Sequence, residues 1–122
     1  MEFPKLVLEH FRNPQNMGKM KNPDITASEQ SEICGDVITL YLKMKGNVIK
    51  DIKFESLGCA ANIASTSLMT TLVKGKTIEE AEKITWKDLV KALGGLPETK
   101  YHCCQLVIKT LRSAIKKWKQ KK

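Results

Sequence analysis

An α+β fold is the class this sequence predicts, and three observations carry it. Apolar and polar residues alternate through "DVITLYLKM" and, less strictly, through "VIKDIKFESL", the period-two signature of strands with one covered face. From Ala60 onward the apolar residues recur instead at helical spacing. A further helical stretch precedes the strands, so the order is helix, strands, helices, in a chain of 122 residues that suits one core. A single small domain over residues 1–122 is therefore expected. A composition of 42% hydrophobic residues with four prolines belongs to a compact protein, not a disordered one. The apolar runs fall far short of the ~20 residues that a membrane helix needs.

Each element has its own justification. "FPKLVLEHFR" predicts a short helix with Pro4 near its first turn and Leu6, Val7 and Phe11 as its apolar face. "NPQNMGKMKNP" ends it with proline and glycine. The polar run "DITASEQSE" reads as an exposed, mobile loop, although a third strand would have to come from this segment. In the next strand Ile38, Leu40, Leu42 and Met44 share one face, and Val37, Thr39, Tyr41 and Lys43 the other. "KGN" is a tight turn, after which Ile49, Asp51 and Lys53 alternate with Ile52 and Phe54 in the returning strand. Such a hairpin needs helices over its apolar side. The following helix offers Ile63, Leu68, Leu72 and Val73 as a stripe, small Ala60, Ala61, Ala64 and Ser65 for close approach, and Gly75 as a stop. Thr77 with Glu80, and Thr85 with Asp88, have the spacing of capping boxes. "TKYHCCQLVIKTLRSAIKKWKQ" then predicts a long C-terminal helix with Cys104, Ile108, Leu111, Ile115 and Trp118 on one face.

The net charge is +8, and seven basic residues from Lys109 to Lys122 account for nearly all of it. They read either as a solvated helix face or as a docking surface for an acidic protein. No aromatic interleaving or nucleic-acid motif accompanies them, which argues against a nucleic-acid partner. The N-terminus carries acidic residues and no small-residue cleavage site, which argues against a secretory signal. Four cysteines without such a signal favour the reducing cytoplasm, where clustered thiols bind metals or react.

Those cysteines stand at 34, 59, 103 and 104 with no C-x-x-C knuckle. Their settings matter more than their spacing. Cys34 and Asp36 flank Gly35 before a strand, and an extended backbone would aim both to one side. Cys59 follows Gly58 where strand passes to helix, a place whose free N–H groups favour a thiolate. His102 and Cys103 open the last helix, a similar position. Cys104 instead continues the apolar stripe, while Cys103 lies about 100° round the helix. His10 is expected on a helix face. A Cys–His nucleophile is disfavoured because neighbours on a helix do not face each other. Thiolates with imidazole suit iron–sulfur centres or zinc, so the residues alone point to a metal or reactive-thiol site.

The motifs "NPQNMG", "CGDV", "GCAANIASTSLMT", "VKGKTIEEA" and "LPETKYHC", in this order, cover nearly the whole chain. Together they resemble the IscU/NifU N-terminal family of iron–sulfur cluster assembly scaffolds. The resemblance implies a three-stranded antiparallel sheet packed against helices. It also implies a non-enzymatic scaffold that accepts persulfide sulfur and iron, assembles a transient [2Fe–2S] cluster and transfers it. A cysteine desulfurase is the implied sulfur source, apo iron–sulfur proteins are the acceptors, and a homodimer is the implied cluster-loaded state. Cys34, Asp36, Cys59, His102 and Cys103 match the family's cluster-handling positions, with Cys103 the implied sulfur acceptor and Fe2+ or Zn2+ the implied free ions. The short gap from Cys59 to Cys103 resembles the IscU type, not the SufU type. Three features depart from the family: "GCAA" stands where "GCG" is common, Cys104 where serine often follows, and the chaperone-recognition stretch is matched only at Leu96, Pro97 and Lys100. Cys104 is therefore carried as an auxiliary candidate ligand or thiol. The alternative function is a zinc-binding sulfur carrier that relays persulfide to an acceptor enzyme.

Overall fold

The computed structural model describes residues 3–121. Helix α1 (Lys5–Arg12) leads into strands β1 (Ile25–Gln30), β2 (Val37–Lys45) and β3 (Val48–Leu57). Helices α2 (Ala60–Val73), α3 (Ile78–Glu82) and α4 (Trp86–Ala92) follow, and a 3-10 turn at Glu98–Lys100 runs directly into α5 (Tyr101–Lys121). The strands form one antiparallel sheet in the order β1-β2-β3. This is the expected α+β architecture, three strands packed against helices with a long last helix. Among the described residues no helix is long and apolar enough to cross a membrane.

The alternation in β2 holds without exception: Ile38, Leu40, Leu42 and Met44 are buried under the helices. Its partner β3 departs from strict alternation. Ile49 and Ile52 both face the core because the β2–β3 register slips between Lys43 and Met44, a bulge that takes up Lys50. Ile49 thus joins Ile52 and Phe54 on the inner face and does not share the outer one with Asp51 and Lys53. Gly46 turns the hairpin at φ +58, in the left-handed region that favours glycine.

The segment expected as a mobile loop is a strand. Ile25 and Ala27 point inward from β1, and Ser28 on the outer face pairs with Thr39 at 3.0 Å. Only two inward positions are apolar, so composition hides the strand. Pairing with β2 and cover from α5 complete it.

Helix α2 is buried on most of its circumference, and of the expected stripe Val73 lies in the core while the other three pack against its edge. Ile63, Leu68 and Leu72 are half-buried at its flanks, while Ala61, Ala64, Met69 and Val73 are fully enclosed. So are Asn62, Ser65, Thr66, Ser67 and Thr70. Ser65 and Thr66 donate to carbonyls four residues back, which removes the cost of their burial. Ser67 binds α1 and the chain after it, through His10 Nδ1 and the Gln15 N–H, both at 2.7 Å. His10 is therefore a half-buried tie between helices rather than a plain helix-face residue, and burial holds its pKa below the usual value. On α1 itself only Val7 is fully buried, with Leu6 and Phe11 each 43% exposed.

Both capping boxes form, Thr77 with Glu80 and Thr85 with Asp88. Trp86 at the start of α4 packs obliquely on Tyr101, the first residue of α5, with ring centroids 5.3 Å apart. Along α5 the expected face is present, with Cys104, Ile108, Leu111 and Ile115 buried and Trp118 half-buried.

The basic tail is largely occupied within the fold. Lys117 and Lys121 donate to the carbonyls of Thr26 and Asp24, Lys109 pairs with Glu29, and Lys119 pairs with Glu82. Two of these lysines therefore satisfy outward-facing carbonyls beside edge strand β1, a common protection of sheet edges. Arg112 and Lys116 have no ionic partner among the described residues, and Lys122 lies outside them. Replacing Lys117 and Lys121 together by alanine should cost about 0.5 kcal/mol of stability, shrinking as salt rises. Urea unfolding at two ionic strengths checks this.

Candidate metal centre

Three chain junctions meet at one end of the sheet. Asp36 immediately precedes β2, Cys59 is the N-cap of α2, and Cys103 lies in the first turn of α5. Each brings one ligand atom, and all three atoms lie within 4.8 Å of one another. The two sulfurs are 3.7 Å apart. That spacing is too long for a bond and short enough for one metal ion, at ~2.3 Å from each sulfur, to bridge them.

Two neighbours build this convergence. Gly58 leaves space that no other residue would: a Cβ there would lie 2.5 Å from Asn62 Nδ2 and 2.6 Å from Asp36 Oδ2. Asn62, fully buried, donates from Nδ2 to Asp36 Oδ2 at 3.1 Å. The glycine's role is therefore close approach. Sequence reasoning missed Asn62, although a polar residue in the first turn of a helix after a cysteine was a visible signal.

Electrostatically the site is short of positive charge. Burial drives the Cys103 thiol far above its usual range, the charge and hydrogen bond of Cys59 add to this, and Asp36 pushes the same way. Lys100 offsets only part of it. The thiolate-favouring helix start expected for Cys103 is thus not what it meets. The 3-10 turn before α5 carries the chain onward, and Cys103 sits 1% exposed beneath it. A bound cation would reverse the balance, because two thiolates and a carboxylate would then face a positive centre.

Cys34 and His102 stand outside the trio. The extended backbone expected from Cys34 to Asp36 does not form. The chain turns between Ser31 and Asp36, with Gly35 at φ +75, the Ser31 N–H donating to the Asp36 carbonyl, and the Ser31 hydroxyl receiving the Ile33 and Cys34 N–H groups. Cys34 is left exposed near the tip of this turn. His102 is half-buried and borders a neighbouring hollow with Ser31, Ile33 and Gln105. Cys103, one residue on, turns inward instead, as the helix rotation requires.

Cys104 is a packing residue. It is fully buried in the main core and contacts Ser65 Oγ at 3.3 Å, and it is not part of the metal-ligand group. Burial raises its pKa, which the Ser65 hydrogen bond partly counters. Cys104→Ser should lower stability by about 1–2 kcal/mol, because a hydroxyl replaces a small apolar group in the core. Metal content should be unchanged, which denaturation and metal analysis of one preparation will check.

Comparison with known proteins matches residues 2–122 to the NifU-like N terminal domain family. The chain belongs to this family. It is 50% identical over 109 residues to iron–sulfur cluster assembly scaffold protein IscU 1 of Archaeoglobus fulgidus, covering 89% of this chain and 71% of that one. The IscU scaffold of Aquifex aeolicus is 38% identical over 122 residues, 98% of this chain and 78% of its own. Among solved structures, a candidate SUF-system scaffold from Fervidobacterium islandicum superposes with a TM-score of 0.77 at 27% identity. It covers 93% of this chain and 96% of its own. Among the described residues, Asp36, Cys59 and Cys103 form a group whose ligand atoms could hold a metal ion.

Proposed function

We propose that this protein is a non-enzymatic scaffold on which iron–sulfur clusters are assembled and from which they are transferred. The single observation that carries the reading is the convergence of Asp36, Cys59 and Cys103 within 4.8 Å. The family membership, with scaffold proteins among the relatives, supports it.

The donor set suits a site that must both load and release. Two thiolates hold iron well, but a carboxylate is a harder and more readily exchanged donor, so the shell stays short of the closed four-thiolate kind. Cys34, two residues before Asp36, and His102, next to Cys103, are the proposed suppliers of the remaining ligand. With either one of them the shell reaches the four ligands that a [2Fe–2S] cluster or a tetrahedral Zn2+ takes.

Cys103 is the proposed sulfur acceptor. Its thiolate attacks the outer sulfur of a persulfide carried by a cysteine desulfurase. A new S–S bond forms on Cys103 while the donor's S–S bond breaks and returns a donor thiolate. Reducing that sulfur to sulfide takes two electrons from an external donor. Because Cys103 is 1% exposed, acceptance requires a local opening of the turn before α5. The assembled cluster, which can bridge two copies of the chain, then passes to apo iron–sulfur proteins. Such chemistry needs reduced thiols, and we place it in the cytoplasm.

Metal and acid-labile sulfide analysis of protein isolated without oxygen tests this reading. Iron and sulfide in equal amounts are expected. Zinc without sulfide, together with persulfide on Cys103, would favour the zinc-binding sulfur carrier instead.

A further inference from the structure

Asn62 is fully enclosed, and its amide is oriented by its surroundings. Ser56 Oγ donates to Asn62 Oδ1 at 3.0 Å, and Thr66 Oγ1 lies 3.3 Å from the same oxygen. The Asp36 carboxylate can only accept, so it takes the NH2 end of the amide, and the two hydroxyls, on a strand and a helix, donate to the oxygen end. The NH2 end then faces Asp36 Oδ2, at 3.1 Å. At Gly58 the backbone approaches the pair so closely that any Cβ there would collide with both of its members. One carboxylate oxygen is thus held by β3 and α2 together, through a residue that touches neither Cys59 nor Cys103 by any hydrogen bond.

We propose that Asn62 is a positioning residue for metal exchange, holding Asp36 as a one-oxygen ligand and thereby setting how fast the ion leaves. The inference rests on the metal-holding reading of the site. A carboxylate free to turn would lose orientation each time it let go of the ion. A carboxylate tied through its second oxygen returns to the same place. Partners of this kind in metal sites typically change affinity by about 10–100-fold when removed.

Co2+ is the probe, because its thiolate charge-transfer and ligand-field absorption reports the site directly, without cluster assembly. The reduced full-length chain is loaded with Co2+ and mixed with excess chelator, and release is followed by stopped-flow absorption. Asn62→Ala should release Co2+ about tenfold faster than the parent. Gly58→Ala should do the same by displacing Asp36 from its partner, and, being at an exposed position, it serves if the Asn62 variant does not fold. The deciding comparison is Asn62→Ala in an Asp36→Ala background. There it should add nothing, since the residue through which it acts is gone.

Equal acceleration in both backgrounds would mean a general loosening of α2 and overturn the proposal. Unchanged release in Asn62→Ala and in Gly58→Ala, with Asp36→Ala still altered, would overturn it while leaving the metal-holding site intact. No thiolate–cobalt absorption in the parent protein would defeat the metal-holding reading itself, and the positioning role with it.

Discussion

Cys103→Ser should abolish sulfur acceptance outright while leaving the protein folded. Oxygen in place of sulfur cannot carry a stable persulfide, and at neutral pH an unactivated hydroxyl is a far weaker nucleophile than a thiolate. The serine also removes one of the two sulfurs 3.7 Å apart, so a metal ion would keep only one thiolate from the trio. The cost to the fold is modest, about 1–2 kcal/mol for a buried hydroxyl with polar neighbours. Incubation with a desulfurase and cysteine, followed by mass spectrometry of the intact chain, checks it. The parent should gain a sulfur adduct and the variant none. The contrast with Cys104→Ser is informative because the two cysteines are adjacent and both buried, yet only Cys103 reaches the metal-ligand group.

Asp36→Ala should lengthen the lifetime of the assembled cluster and slow its transfer. Asp36 supplies the hard donor of the trio, and through it water and incoming ligands exchange most readily. Without it the neighbouring thiol of Cys34, exposed on the turn just before, becomes the ligand that can swing into its place. A softer sulfur set holds iron longer and gives it up more slowly. Transfer to an apo-ferredoxin, followed by absorption, measures both quantities in one trace. Unchanged lifetime together with unchanged transfer would remove Asp36 from the exchange step.

The sequence carries much of this fold in plain view, and the physical reasons for the remainder are specific. β2 is legible because every second residue is apolar, and the capping boxes are legible because they need only their own local chain. β1 is hidden because only two of its inward positions, Ile25 and Ala27, are apolar, and its strand character comes from pairing with β2 and from cover by α5. α2 misleads for the opposite reason. Ile63, Leu68 and Leu72 lie at the flanks, and beside Met69 and Val73 its buried faces are built from alanine, Asn62 and hydroxyl residues, of which Ser65 and Thr66 bond to their own helix.

The site shows the same division. Asp36, Cys59 and Cys103 could be proposed from their junction settings, but their meeting depends on three elements far apart in sequence. The placement of Cys34 away from Asp36 follows from the positive φ at Gly35, which a period-two rule cannot anticipate. The lysines of α5 suggest a docking face until β1 is in place. The carbonyls of Asp24 and Thr26 and the carboxylate of Glu29 then take up three of them, and Glu82 takes a fourth.

Anaerobic reconstitution with ferrous iron, cysteine and a desulfurase tests the central claim most directly. The parent protein should develop the visible absorption of a [2Fe–2S] cluster, with acid-labile sulfide matching iron, and Cys59→Ser and Cys103→Ser should each fail to do so. Parent protein that acquires neither the absorption nor the sulfide, as monomer or as dimer, while still binding zinc through the same residues, would contradict the scaffold account.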